Sequence, residues 1–198
     1  MLFRSARTAS RGLALTAPEL LEVAGTIRAA DRVRRAILRV EAEAPLLAGI
    51  AEGILDLATV RSLIERCIDD RGEVTDAASP ELASIRREST SAHDRLQQRV
   101  QLLLRSTEVR AALQEPIVTL RDGRYVLPVR SEARGAVPGV IHDTSASGAT
   151  VYVEPMAVID LGNRWRELQL HERHEVDRVL RELSDPVGAA GDDLVDAV

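Results

Sequence analysis

Two apolar seams of the same period bracket a single β-rich stretch, and that arrangement limits the folds open to this chain. On the N-terminal side Leu82, Ile85, Ser89, Ala92, Leu96, Arg99 or Val100 and Leu103 keep a three-four rhythm for three heptads. Ser79-Pro80 opens that run as N-cap and first helical position. After Pro155 the rhythm returns in Val158, Leu161, Trp165, Leu168, Glu172, Val176, Val179 and Leu183. Two helices with matching seams, joined through a compact insert, predict an antiparallel coiled-coil lever. At the standard rise its first arm, from Ser79 to Ser106, would be about 40 Å long.

The insert, from Pro116 to Pro155, reads as four short strands. Ile117 to Arg121 and Arg124 to Arg130 flank Asp122-Gly123, a dipeptide suited to a type I′ hairpin turn. That turn pairs Arg121 with Arg124, Leu120 with Tyr125 and Val118 with Leu127. Alternation then places Val118, Leu120, Tyr125, Leu127 and Val129 on an apolar face, and Thr119, Arg121, Arg124 and Arg130 on the other. Gly139 to His142 and Thr150 to Glu154 are two further strands, joined by the small-residue loop Thr144 to Ala149.

Upstream, Thr16 is an N-cap with Glu19 at the capping-box position and Pro18 in the first turn. A helix is predicted from there to about Glu43, ended by Pro45. Leu46 to Gly53 is a short apolar helical piece, and Leu57 to Ile68 a second amphipathic helix. Thr107 to Glu115 continues as a separate helical turn or a bent extension leading into the sheet. The fold is therefore expected to be mainly α with a small β unit. Residues 1–78 form a helical core, 79–115 the first lever helix, 116–155 the β unit, 156–185 the returning helix, and 186–198 a frayed or truncated end.

Quoted together, LQEPIVTLRDGRYVLPVRSEARGAVPGVIHDTSASGATVYVEPMAVIDLGN resembles the clamp region of the second bacterial MutS branch, the MutS-two family. The composite RDGRY, PG-V-HD-SASG-T and EP, at these spacings, carries the resemblance. It is close over residues 114–183 and looser over 56–113; ALTAPELLEVAGTIRAADRVRR resembles the preceding core helices. The resemblance implies a core and clamp segment that engages nucleic-acid backbone, either branched DNA such as recombination intermediates or the RNA of collided ribosomes. It also implies a homodimeric full-length protein whose ATPase and small MutS-related nuclease domains are not in this chain. Met1 then reads as a start placed inside a longer domain, rather than residues 1–18 reading as an arginine-rich transit peptide.

Composition narrows the chemistry. All 26 basic residues are arginine. Without lysine there is no P-loop phosphate ligand and no Schiff-base nucleophile. No enzymatic activity or cofactor is expected of this chain; ATP and magnesium belong with the missing ATPase. The net charge of −5 opposes indiscriminate attraction to polyanions. The excess acid lies in residues 156–198, with 10 carboxylates against 5 arginines, while residues 116–155 carry 4 of each. A polyanion is therefore expected near the β unit. The lone Cys67 excludes an internal disulfide and fits a cytoplasmic setting, and no run approaches the length of a membrane span.

The candidate nucleic-acid-binding residues are Arg121, Arg124, Arg130 and Arg134, whose planar guanidinium groups suit phosphate oxygens, with Ser145 and Ser147 in a loop of hydroxyls and open amides. The bland alternative is solvated arginines paired with Asp122 or Glu132. A nucleophilic serine would need a base, and His142 alone, without a third member, does not make a triad. His171-Glu-Arg-His174-Glu175 has metal-ligand spacing but no second motif to complete a site, so it reads as charged helix surface. The competing function is a structural or dimerising coiled-coil module with a protein-binding β tip.

Overall fold

A computed structural model describes residue 5 and residues 8–191. It is mainly α-helical with one four-stranded antiparallel sheet. The chain divides into two compact units, residues 1–83 with 173–198, and residues 84–172. Among the described residues, no helix is long and apolar enough to cross a membrane.

In the first unit, helix α1 (Ala17–Leu38) starts as its sequence requires. Thr16 is extended, and its backbone N–H and its hydroxyl donate to Glu19 Oε2 at 2.9 and 2.8 Å. Leu20, Val23, Ala24 and Ile27, one stripe at helical spacing, are buried in the unit's core with Ile64, Leu183 and Val187. The helix ends five residues earlier than expected. Val40 N–H bonds to Ile37 O and Glu43 N–H to Val40 O, so tight turns replace the last helical turn. Pro45 stands at the start of α2 (Pro45–Glu52) rather than merely stopping α1; in a first turn its missing N–H leaves no bond unmade. Helix α3 (Ala58–Cys67) follows and carries Cys67 into the core.

Ser79 caps α4 (Pro80–Arg105), accepting from the amides of Glu81 and Leu82 at 3.1 and 3.2 Å. The same hydroxyl donates to Glu175 Oε1 at 2.5 Å, on helix α6 (Met156–Ala189). Arg178 completes that buried group, donating to both Glu175 oxygens. Arg178, and after it Ser79, hold the Glu175 carboxyl down at about 2, against the burial that would raise it. Into the segment expected to fray, α6 continues through Pro186 to Ala189, with Val187 fully buried. Ser184 explains part of this, because its hydroxyl accepts the Leu15 amide at 2.8 Å and donates to Leu180 O. Residues 192–198 of the expected frayed end lie outside the described residues.

The second unit contains residues 84–105 of α4, the short α5 (Thr107–Ala112), the sheet and residues 156–172 of α6. The two helices run antiparallel here. Ile85 and Ala92 pack with Leu168, and Leu96 and Val100 with Val158. Of the two residues open at the next seam position, Val100 is the buried one and Arg99 faces solvent. Strands β1 (Thr119–Arg121), β2 (Arg124–Arg130), β3 (Gly139–Thr144) and β4 (Thr150–Pro155) pair in the order β1-β2-β4-β3. Asp122 and Gly123 have φ of 48° and 73°, as a type I′ turn needs, and Arg121 faces Arg124 in the expected register.

The two-faced reading of the hairpin needs amendment. Leu127 and Val129 are buried with Val151 and Val153, as expected, but Leu120 is 52% exposed on the edge strand β1. On the opposite side, Val126 and Pro128 share the face of Arg124 and Arg130 and are buried too. An interior strand covered on both faces reads as a continuous apolar run, and Tyr-Val-Leu-Pro-Val is one.

Candidate nucleic-acid interface

The four candidate arginines do not form one cluster. Strand β2 begins with Arg124 and ends with Arg130, a separation of about 20 Å at the usual rise. Arg121 and Arg124 belong to the hairpin end, and Arg130 and Arg134 to the end next to the Thr144–Ala149 loop.

At the hairpin end the guanidinium groups are engaged within the protein. Arg124 Nη1 donates to Glu154 Oε1 at 3.1 Å and to Asn163 Oδ1 at 2.7 Å. Glu154 is 3% exposed, and its second oxygen lies 2.8 Å from His142 Nε2. A register shift between Ile141 and Asp143 makes His142 the extra residue of a β-bulge, which aims its ring at β4. Arg121 lies over the Tyr152 ring, 4.4 Å from its centroid, with Nε 3.4 Å from Asp143 Oδ2. Its side chain keeps 40% of its surface in solvent, against 22% for Arg124.

The loop end is more open. Arg130 donates from Nη2 to the Ala111 carbonyl, has Nε 3.9 Å from Glu132, and keeps 43% of its side-chain surface exposed. Arg134, exposed at the 3-10 segment Ser131–Ala136, has no side-chain partner among the described residues. Thr150 faces Arg130 across the strands and anchors the loop, because its amide donates to Ser145 Oγ at 3.0 Å and its carbonyl accepts the Ser145 amide at 2.9 Å. Gly148 adopts φ 72° inside that turn, and its carbonyl accepts the Ser131 hydroxyl. Ser145 is half-buried and committed to closing the loop; Ser147 is exposed. His142 spends Nε2 on Glu154, so the one nearby base is oriented by a carboxylate of the sheet. His171 and His174 are exposed, and no metal-holding group of three His, Cys, Asp or Glu side chains occurs among the described residues.

The Arg124–Glu154–His142 network was not foreseen from the sequence. Its signal lay in Val151-Tyr-Val-Glu154-Pro, where a carboxylate occupies an otherwise apolar strand and must find partners if buried. The same network joins the three parts of the recognised composite: Arg124 of RDGRY, His142 of the HD pair and Glu154 of EP.

Comparison with characterised sequences bears on the whole chain. Endonuclease MutS2 of Thermomicrobium roseum is 45% identical over 195 residues, covering 97% of this chain and 24% of the relative. Those of Pelotomaculum thermopropionicum and Geobacillus sp. (strain WCH70) are 41% and 40% identical over 93% and 98% of the chain. The chain is homologous to one segment of MutS2. It spans about a quarter of the length of these MutS2 relatives. No protein-family model matches it.

Proposed function

We propose that this MutS2-type segment provides a sheet that engages the sugar-phosphate backbone of nucleic acid, without reading sequence, on behalf of a longer ATP-dependent protein. The carrying observation is the loop end of the sheet. Arg130 stands beside the Ser145–Gly148 turn, whose exposed hydroxyl of Ser147 and positive-φ glycine suit phosphate oxygens, and the exposed Arg134 follows in the 3-10 segment that Ser131 ties to that turn. Arg124 serves the same end indirectly, fixing the hairpin through Glu154, while Arg121 presents a partly exposed guanidinium on a tyrosine platform. Branched DNA and structured RNA, including that of the ribosome, both offer this chemistry. In a homodimer, two such sheets would act on one ligand and gain affinity by their coupling. ATP, magnesium and the endonuclease chemistry in the relatives' name are assigned to parts of the protein outside this chain.

Replacing Arg121, Arg130 and Arg134 by Gln should weaken binding of branched DNA and structured RNA alike and reduce the salt dependence. Replacing Arg32, Arg35 and Arg39 of α1 is the control. An equal loss in both variants would remove the site from the sheet.

A second reading has its own observation. Leu120 on β1 and Val140 and Ile141 on β3 leave apolar side chains exposed on the two edge strands. A protein-binding sheet edge would retain its partner when the arginines are replaced and lose it when these three become Ser.

A further inference from the structure

Away from the sheet, the second unit has a groove of about 320 Å³ between α4 and α6. Ala92 and Leu168 contribute apolar surface to it, and Arg87, Arg95 and Arg164 bring three guanidinium groups against one carboxylate, Glu88. Arg164 is held across the groove, donating to Glu88 at 3.1 Å and to Glu167 at 2.8 Å. Arg87 and Arg95 have no ion-pair or hydrogen-bonded side-chain partner among the described residues. Their own helix gives a reason: three and four residues away from each stand Ala83, Ser84, Thr90 and Ser91, or Ser91, Ala92, Gln98 and Arg99. Surface arginines of a coiled coil are ordinarily offset by carboxylates at those spacings. Here every one of those positions lacks an acid.

We infer that Arg87, Ser91 and Arg95, with Arg164 opposite, form a second contact for a nucleic-acid phosphate backbone, along the helix pair rather than on the sheet. This rests on the reading that the unit binds nucleic acid. The three α4 residues lie at i, i+4 and i+8 on one face, so Arg87 and Arg95 are about 12 Å apart along the axis. That is the rise of three to four nucleotides in one strand of a duplex, at about 3.4 Å each. Ser91, exposed between them, supplies a hydroxyl donor for an intervening phosphate oxygen. Arg164, oriented by Glu88 and Glu167, faces the track from α6. Interactions of this type add charge-dependent affinity and no base preference.

The test uses the whole chain, with a fluorescein-labelled 30-base-pair duplex titrated by anisotropy at several salt concentrations. The groove variant is Arg87→Gln with Arg95→Gln; the loop variant is Arg130→Gln with Arg134→Gln. The groove variant should lower the slope of log affinity against log salt by about 2, at roughly 0.9 for each phosphate no longer neutralised. A photo-crosslinker on Ser91→Cys should give a DNA adduct that this double variant abolishes. Sodium tripolyphosphate at equal phosphate concentration should compete poorly; efficient competition would make the groove a small-oligophosphate site and overturn the backbone contact. A parental slope and no adduct, with the loop variant still impaired, would overturn the groove and leave the proposed function standing. No binding by the parent chain at low salt would overturn both.

Discussion

His142 Nε2 sits 2.8 Å from Glu154 Oε2, and the other Glu154 oxygen accepts Arg124 at 3.1 Å, so one buried carboxylate ties the bulge of β3 to the start of β2. Glu154→Ala would leave the half-buried Arg124 without its carboxylate partner. Breaking such a pair typically costs about 3 kcal/mol. Urea unfolding should show a loss of that order, whereas Glu132→Ala, at an exposed carboxylate 3.9 Å from Arg130, should cost under about 1 kcal/mol. Equal losses would deny the network its structural part.

Gly139 and Gly135 give a second contrast. A Cβ on Gly139 would lie 2.1 Å from the Glu154 carbonyl oxygen, whereas one on Gly135 would meet nothing within 4 Å. Gly139→Ala must therefore push β3 away from β4, with an expected loss of about 2 kcal/mol or more. Gly135→Ala should stay near the parent. Thermal melts of both variants check this.

Glu175 makes stability depend on pH in a defined direction. Its folded carboxyl titrates at about 2, below the ordinary value near 4.5, so its contribution is complete above the ordinary value and fades as pH falls toward 2. At neutral pH that contribution is on the order of 3 kcal/mol. The stability difference between the parent and Glu175→Gln should hold from pH 7 to about 5 and shrink below that. A gap constant from pH 7 to pH 2 would contradict the assignment.

The helix seam is testable at neighbouring positions. Leu96 is 1% exposed and Gln98 is exposed, although they are two residues apart on α4. Leu96→Asp should cost several kcal/mol, through poorer packing and an unpaired buried charge. Gln98→Asp should cost under about 0.5 kcal/mol. Comparable losses would refute the register.

Much of the architecture was legible because it rests on local rules. Asp122-Gly123 announced its turn and register; Thr16-x-x-Glu19 and Ser79-Pro80 announced their helix starts; Leu82 to Leu103 announced the seam. What the sequence hid depends on non-local partners. Glu175 read as charged helix surface and Glu154 only as the end of a strand, until Arg124, His142, Ser79 and Arg178 are brought to them by packing. The arginine face was read from strand alternation, which fixes which side a residue takes. It does not convey that Arg124 and Arg130 stand at opposite ends of β2, or that Val126 and Pro128 between them are covered.

Phosphate contact at the loop end of the sheet can be read residue by residue, by amide chemical-shift mapping of the isotopically labelled chain with a short duplex. Within the sheet, shifts should concentrate at Arg130, Arg134 and Ser145 to Ala149, and fade as salt rises. Shifts confined to the edge residues Leu120, Val140 and Ile141, or none at low salt, would contradict that contact.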